Sequence, residues 1–178
     1  MRVLIEARAW GTPDSAYIEG TYIFHSNRAA LIGDEIYYLI VHLGAGILKY
    51  DLVKHSFSKI DLPGMYGKEV LMQNEDGSLG FAGVSGSRLH LWSRMVNPEG
   101  VTGWVQQRVI KLKISPKAFA FGFAEGAGVF FISTKAGAFT IEPKSRLVRK
   151  AGESRDYLAF FPFISFFTPG TAPAFACL

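Results

Sequence analysis

A hairpin-like pattern recurs three times along this chain, and no other feature limits its fold as tightly. In the first copy, residues 31–39 turn through Gly44-Ala45-Gly46 and return as 47–52. The second runs over 76–84, turns at Ser85-Gly86-Ser87 and returns as 88–93. The third runs over 123–132, turns at Lys135-Ala136-Gly137 and returns as 138–142. Asp51, Ser93 and Glu142 place the copies 42 and 49 residues apart. A period of roughly 40–50 residues suits a β-propeller blade of about four strands. The predicted fold class is therefore all-β: a partial β-propeller of about three four-stranded antiparallel blades, with a buried C-terminal strand.

Composition supports that reading. The chain has 178 residues, 49% of them hydrophobic and 15 of them Phe, which is enough for one domain with a large core. Nineteen Gly and eight Pro punctuate runs of Phe, Tyr, Val, Ile and Thr, which favours short strands over helices. Residues 3–10 read as one strand and 57–62 as an outer strand with one wet face. In 103–112, Trp104, Gln106, Arg108, Ile110 and Leu112 alternate with Val105, Gln107, Val109 and Lys111, as in a strand partly covered by a neighbouring blade. Residues 147–150 close the third unit, and 151–156 form a polar break.

Residues 157–168 are apolar on both strand faces, the mark of a fully buried strand, with Pro162 either bending it or lying beside a gap in the ladder. Residues 1–169 are read as one propeller fragment and 170–178 as a disordered tail. Three blades do not close a ring, since propellers typically use about four to eight. The chain thus reads as the C-terminal half of a larger propeller, expected to self-associate through its open blade edges.

Charge and cysteine usage exclude several classes. Nineteen basic residues against 15 acidic leave +4, a modest excess that predicts no nucleic-acid partner. The densest basic run (Lys144, Arg146, Arg149, Lys150, Arg155) suits a solvated hairpin edge that discourages edge-to-edge pairing. Cys177 is the one cysteine, so neither an internal disulfide nor a thiolate zinc site can form; the expected compartment is cytoplasmic or nuclear. Glu6 and Arg8 interrupt any signal-peptide core, and 157–168 is too short to span a bilayer as a helix, so no membrane association is expected.

No constellation for chemistry emerges. His25, His42, His55 and His90 are never closer than 13 residues, so no local chelate forms. No Gly-x-Ser-x-Gly elbow exists, and the glycine-rich stretches lack the Lys-Ser/Thr ending of a phosphate loop. Asp34, Glu35, Asp76 and Glu125 read as turn formers. The expectation is a non-enzyme with no catalytic, cofactor or metal residues. An enzyme would need His90 and Asp76 to meet in a pocket. Partner contacts are expected in loops, with Asn97, Glu99 and Trp104 of 97–103 as candidates beside 44–46 and 135–137. The alternative is a carbohydrate- or small-molecule-binding β domain, with Trp104 stacking on a sugar.

Several short motifs occur in order: Lys-Tyr-Asp-Leu at 49–52, Ser-Lys-Ile-Asp-Leu-Pro at 58–63, Val-Leu-Met at 70–72 and Asp-Gly-Ser-Leu-Gly-Phe at 76–81. Leu-His-Leu-Trp-Ser-Arg at 89–94, Gly-Trp-Val at 103–105, Arg-Val-Ile-Lys-Leu at 108–112 and Gly-Phe-Ala-Glu-Gly at 122–126 continue the series. It ends with Phe-Ile-Ser-Thr at 131–134, Gly-Ala-Phe-Thr-Ile at 137–141 and Phe-Pro-Phe at 161–163. Over roughly 15–169 the chain resembles the C-terminal F-box-associated β-propeller of plant F-box proteins, abundant in grasses. That resemblance implies recruitment of a protein substrate to a cullin ubiquitin ligase, with no chemistry on the propeller. Residues 1–30 carry no Leu-Pro helical signature of an F-box, so ligase docking by this chain alone is not expected. Pro143 departs from the family pattern and predicts an edge or bulged strand at 141–145.

Overall fold

Runs of β-branched and aromatic residues, each broken by short polar turns, fold into three up-and-down meanders. The computed structural model describes residues 3–4, 9–10, 23–41, 46–66, 69–113 and 118–153. The first sheet is β3 (Ile23–Ile32), β4 (Glu35–Val41), β5 (Gly46–Asp51) and β6 (Ser56–Ile60), in that order. In the second, β7 (Glu69–Gln73), β8 (Leu79–Ser85), β9 (Arg88–Val96) and β10 (Thr102–Lys111) follow the same pattern. The third has β11 (Phe119–Ala124), β12 (Val129–Thr134), β13 (Gly137–Glu142) and β14 (Leu147–Gly152).

Every pairing is antiparallel, and β7 packs beside both β3 and β11. Three four-stranded sheets with neighbouring first strands and open outer edges make a partial, propeller-like all-β fold. The three repeats seen in the sequence are the hairpins β4–β5, β8–β9 and β12–β13, the middle pair of each sheet.

The sheets press together through two apolar layers. Tyr37, Leu39, Ile47 and Ile60 of the first sheet meet Leu71, Leu79 and Phe81 of the second. On the opposite face of the second sheet, Met72, Val84, Leu89 and Ile110 meet Phe130, Ile132 and Ile141 of the third. Alternation along each strand makes this possible: Phe81 faces one layer, and its neighbour Ala82 the other. Phe121, Phe131 and Ala138, on the remaining face of the third sheet, are also buried.

Several local expectations are corrected. Residues 3–10 are not one strand: β1 (Val3–Leu4) pairs antiparallel with β2 (Ala9–Trp10), so the chain reverses between them. Gly33 and Asp34 form the turn that their chemistry suggests, with Gly33 at a φ of 57°, so 31–39 divides into the end of β3 and the start of β4. Within 123–132, a 3-10 turn at Glu125–Ala127 separates β11 from β12. Ala151 and Gly152, read as a polar break, extend β14. Pro143 opens the turn between β13 and β14, so it removes no ladder donor and neither bulges nor interrupts a strand.

Strict alternation also fails in β10. Gln107 is the extra residue of a bulge between Gln106 and Arg108. The bulge reverses parity, so Trp104 joins the layer against the first sheet and Ile110 the layer against the third. β10 is also an outer strand, mostly exposed rather than covered. The expected buried strand at 157–168 and the tail at 170–178 lie outside the described residues. No helix among the described residues is long and apolar enough to cross a membrane.

Candidate functional site

Among the described residues, Tyr37, Tyr66, Trp92 and Trp104 bring polar-tipped aromatic side chains to the joint between the first and second sheets. Tyr66, in the connection between the sheets, packs 5.8 Å from the Phe81 ring and 5.2 Å from the His90 ring. Its hydroxyl accepts a hydrogen bond from Trp92 Nε1 at 3.1 Å. Such pairing is what lets an indole N–H sit in an apolar joint without an unmet donor. Gly83 lies directly under the Tyr66 ring, and a Cβ there would overlap it.

Trp104 stands half-buried at the same joint. Its Nε1 donates to the Asp61 carbonyl at 2.8 Å, its ring meets Phe81 edge-on at 5.8 Å, and the Arg94 guanidinium lies 5.8 Å from its centre. It therefore ties the second sheet to the first. A cation, not the carboxylate a sugar site would favour, sits over its ring.

The remaining candidates are turn residues. Asn97 Oδ1 accepts from the Val101 amide at 2.7 Å, and its backbone closes the same turn with Val101 and Gly100. Glu99 is exposed at the tip of that turn. In an antiparallel meander the first and third turns lie at one end and the second at the other. Asn97 and Glu99 thus sit at one end of the second sheet, whereas turns such as Lys135-Ala136 occupy the second-turn end of theirs. The loops 97–103 and 135–137 therefore do not share corresponding ends, and residues 44–45 lie outside the described residues. An ion pair between Lys144 and Glu75 ties a third turn to a first turn of the neighbouring sheet.

Acidic residues hold turns, as their sequence context suggests. Asp76 Oδ1 accepts from both the Ser78 amide (3.0 Å) and the Ser78 hydroxyl (2.7 Å), which keep its carboxyl below the usual value. Asp51 Oδ1 accepts from the amides of Val53 and Lys54, and the Lys54 amide contributes most to its lowered pKa. His90 pairs across the ladder with Gly83, about 13 Å along β8 from Leu79, beyond which Asp76 lies. The two do not form a dyad. His90 Nδ1 instead meets Gln106 Nε2 at 3.1 Å, and burial, then the Arg88 charge, holds its imidazole below 6.5. No group of three or more His, Cys, Asp or Glu suited to a metal occurs among the described residues.

Glu35, read as a turn former, instead begins β4 and joins a polar cluster that the sequence reading missed. Glu35 accepts from Lys49 Nζ at 2.6 Å and from the Tyr37 hydroxyl. The Lys49 bond, then the Tyr37 bond, lowers the Glu35 pKa from 4.5 against the opposing effect of burial. Burial, then the carboxylate, pushes the Tyr37 phenol up. The signal was the cross-strand register, in which Tyr37 faces Lys49. Because the folded Glu35 pKa is depressed, its contribution is complete above its unfolded value near 4.5 and is lost as pH falls through the folded value. Both partners are about a third exposed, so the loss is expected to stay below about 1 kcal/mol. Urea midpoints measured from about pH 6 to about pH 3 should fall less steeply in Lys49→Met than in the parent chain.

No protein-family model matches the chain. No curated protein matches it either. Among solved structures, the extracellular domain of a one-component system from B. thetaiotaomicron matches with a TM-score of 0.43 and 15% identity. The match covers 72% of this chain and 17% of that one, so the chain spans about a sixth of that structure's length.

Proposed function

We propose that this chain is a non-enzymatic, protein-binding propeller segment, serving as the substrate-recruiting half of an F-box-type subunit of a cullin ubiquitin ligase. The observation that carries the binding part is the packing of three meanders face to face, with their first strands side by side. That arrangement consumes the broad faces and offers turns and outer strands to a partner. The ordered motifs between 49 and 163 support the recruiter part, through their resemblance to F-box-associated propellers.

A recruiter requires no chemistry of its own. In keeping with that, Asp76 is engaged by Ser78 and His90 by Gln106, and Trp104 locks two sheets together. The partner in this reading is a protein substrate, with neither nucleic acid, membrane nor cofactor involved, in the cytoplasm or nucleus. Self-association through open blade edges other than β10 belongs to the same reading when the chain stands alone.

Affinity capture of the full-length product of the locus, followed by mass spectrometry, tests this function. The expected result is recovery of a Skp-type adaptor and a cullin, with a further protein whose ubiquitination depends on the complex. Partners recovered without adaptor or cullin would remove the ligase role. Retention of glycans in place of proteins would remove the protein-binding class altogether.

A further inference from the structure

We infer that the free edge of β10 is a docking strand for an extended acidic peptide, which adds to the second sheet as a fifth strand. This rests on the protein-binding reading above and supplies the chemistry of the partner.

The outer strands of the three sheets are unequal. β6 has 5 residues and β14 has 6, whereas β10 has 10 and is exposed along most of its length. Lys150 of β14 is paired with Glu153 at 2.8 Å. On β10, Val105 and Val109 are 47% and 43% exposed. Proteins usually shorten, cover or charge such an edge to prevent strand addition. This one is long and covered by no described strand; its Arg108, Lys111 and bulge guard it against another copy of the same edge but not against a flexible partner of opposite charge.

Along the β9–β10 hairpin stand Arg88, Arg94, Arg108 and Lys111, against one carboxylate, Glu99, at the tip. The register sets Arg88 directly across from Lys111. Like charges so placed weaken a ladder. None of the four cations has an ion pair among the described residues, where Lys49, Lys54, Lys144 and Lys150 form the pairs. Arg108 Nη1 donates to the Pro143 carbonyl at 2.7 Å, which orients the guanidinium and leaves its charge unmet.

A peptide with Asp or Glu at alternate positions answers both features. Its main chain pairs with the outward amides and carbonyls of β10, while its carboxylates reach Arg108 and Lys111 of that strand. A second copy of this chain fits poorly, because it brings the same four cations to the joint. The bulge at Gln107 also twists the edge away from a rigid partner, whereas a flexible peptide can follow it.

The probe is a fluorescein-labelled peptide of alternating Asp and Val, of about ten residues to match the 10 of β10, titrated against the intact chain by anisotropy. Its counterpart carries Lys in place of Asp. The acidic peptide is expected to bind, the basic one not to, and binding should weaken about tenfold between about 50 and about 500 mM salt. Arg108→Glu with Lys111→Glu should weaken binding about tenfold, with urea unfolding of both chains confirming that the variant is folded. Bound peptide should slow hydrogen exchange of β10 amides. Equal binding of the two peptides, no binding of the acidic one, or binding without protection of β10 overturns the inference. So does a dimer, in sedimentation, that protects the same amides. Recovery of adaptor and substrate in the capture experiment with no peptide binding rejects the edge alone; peptide binding without adaptor rejects the ligase role alone.

Discussion

Phe81→Ala is expected to lower stability by about 3–5 kcal/mol, the largest loss from any single truncation in the joint between the first and second sheets. Phe81 is fully buried, with 0% exposure, and lies in register between Leu71 and Trp92. Tyr66 and Trp104 close over it, each with ring centres 5.8 Å away. Removing the ring deletes its transfer free energy and leaves a void between two sheets, each held in place by its own ladder. Phe81→Leu, which fills more of the space, should cost markedly less. Urea unfolding followed by tryptophan fluorescence reads this directly, because Trp92 and Trp104 line the same joint. A loss below about 1 kcal/mol, as at an ordinary surface position, would contradict the packing of these sheets as a single core.

Gly137→Ala is expected to destabilise the third sheet by about 3 kcal/mol through backbone strain and overlap together. Gly137 has a φ of 134°, and an added Cβ would stand 2.5 Å from the Gly152 carbonyl oxygen. The surrounding turn is already tight. Thr134 Oγ1 accepts from the Ala136 amide and donates to the Gly137 carbonyl, both at 3.0 Å. Gly86 provides the control: its φ is 60°, and nothing lies within 4 Å of an added Cβ. Gly86→Ala should therefore cost only the left-handed backbone penalty, about 1–2 kcal/mol. Thermal melts of the two variants should separate clearly. Equal losses would mean that the approach of Gly152 to Gly137 does not constrain the fold.

The middle hairpins were legible because their signals are local. Gly86-Ser87 and Lys135-Ala136 turn the chain between apolar runs, and the runs pair within a few residues of the turn. The outer strand β6 was legible for the same reason, from alternation ending at Pro63-Gly64. Gly33-Asp34 and Glu125 were legible as turn residues, although the runs 31–39 and 123–132 were drawn through them. The bulge at Gln107 was hidden because an extra residue in a mixed polar and apolar strand leaves no mark on composition.

The candidate residues divide along the same line. Asn97 forms its turn through contacts within four residues, so its role could be read from Asn-Pro-Glu-Gly alone. Trp104 could not be placed that way, because its partner, Asp61, is 43 residues distant. The excess of cations on the β9–β10 hairpin was present in the residue order, but its meaning was not. Only the register brings Arg88 against Lys111, and only the sheet order leaves β10 without a neighbour on one side among the described residues.

Residue order alone settles the all-β class, the threefold recurrence and the turn chemistry, since each depends on contacts across a few positions of the backbone. Which face of a strand meets which sheet, which strand is left open and which end a loop occupies are decided in three dimensions. A one-residue bulge reverses every side chain after it, and face-to-face packing joins groups whose separation along the chain carries no local signal.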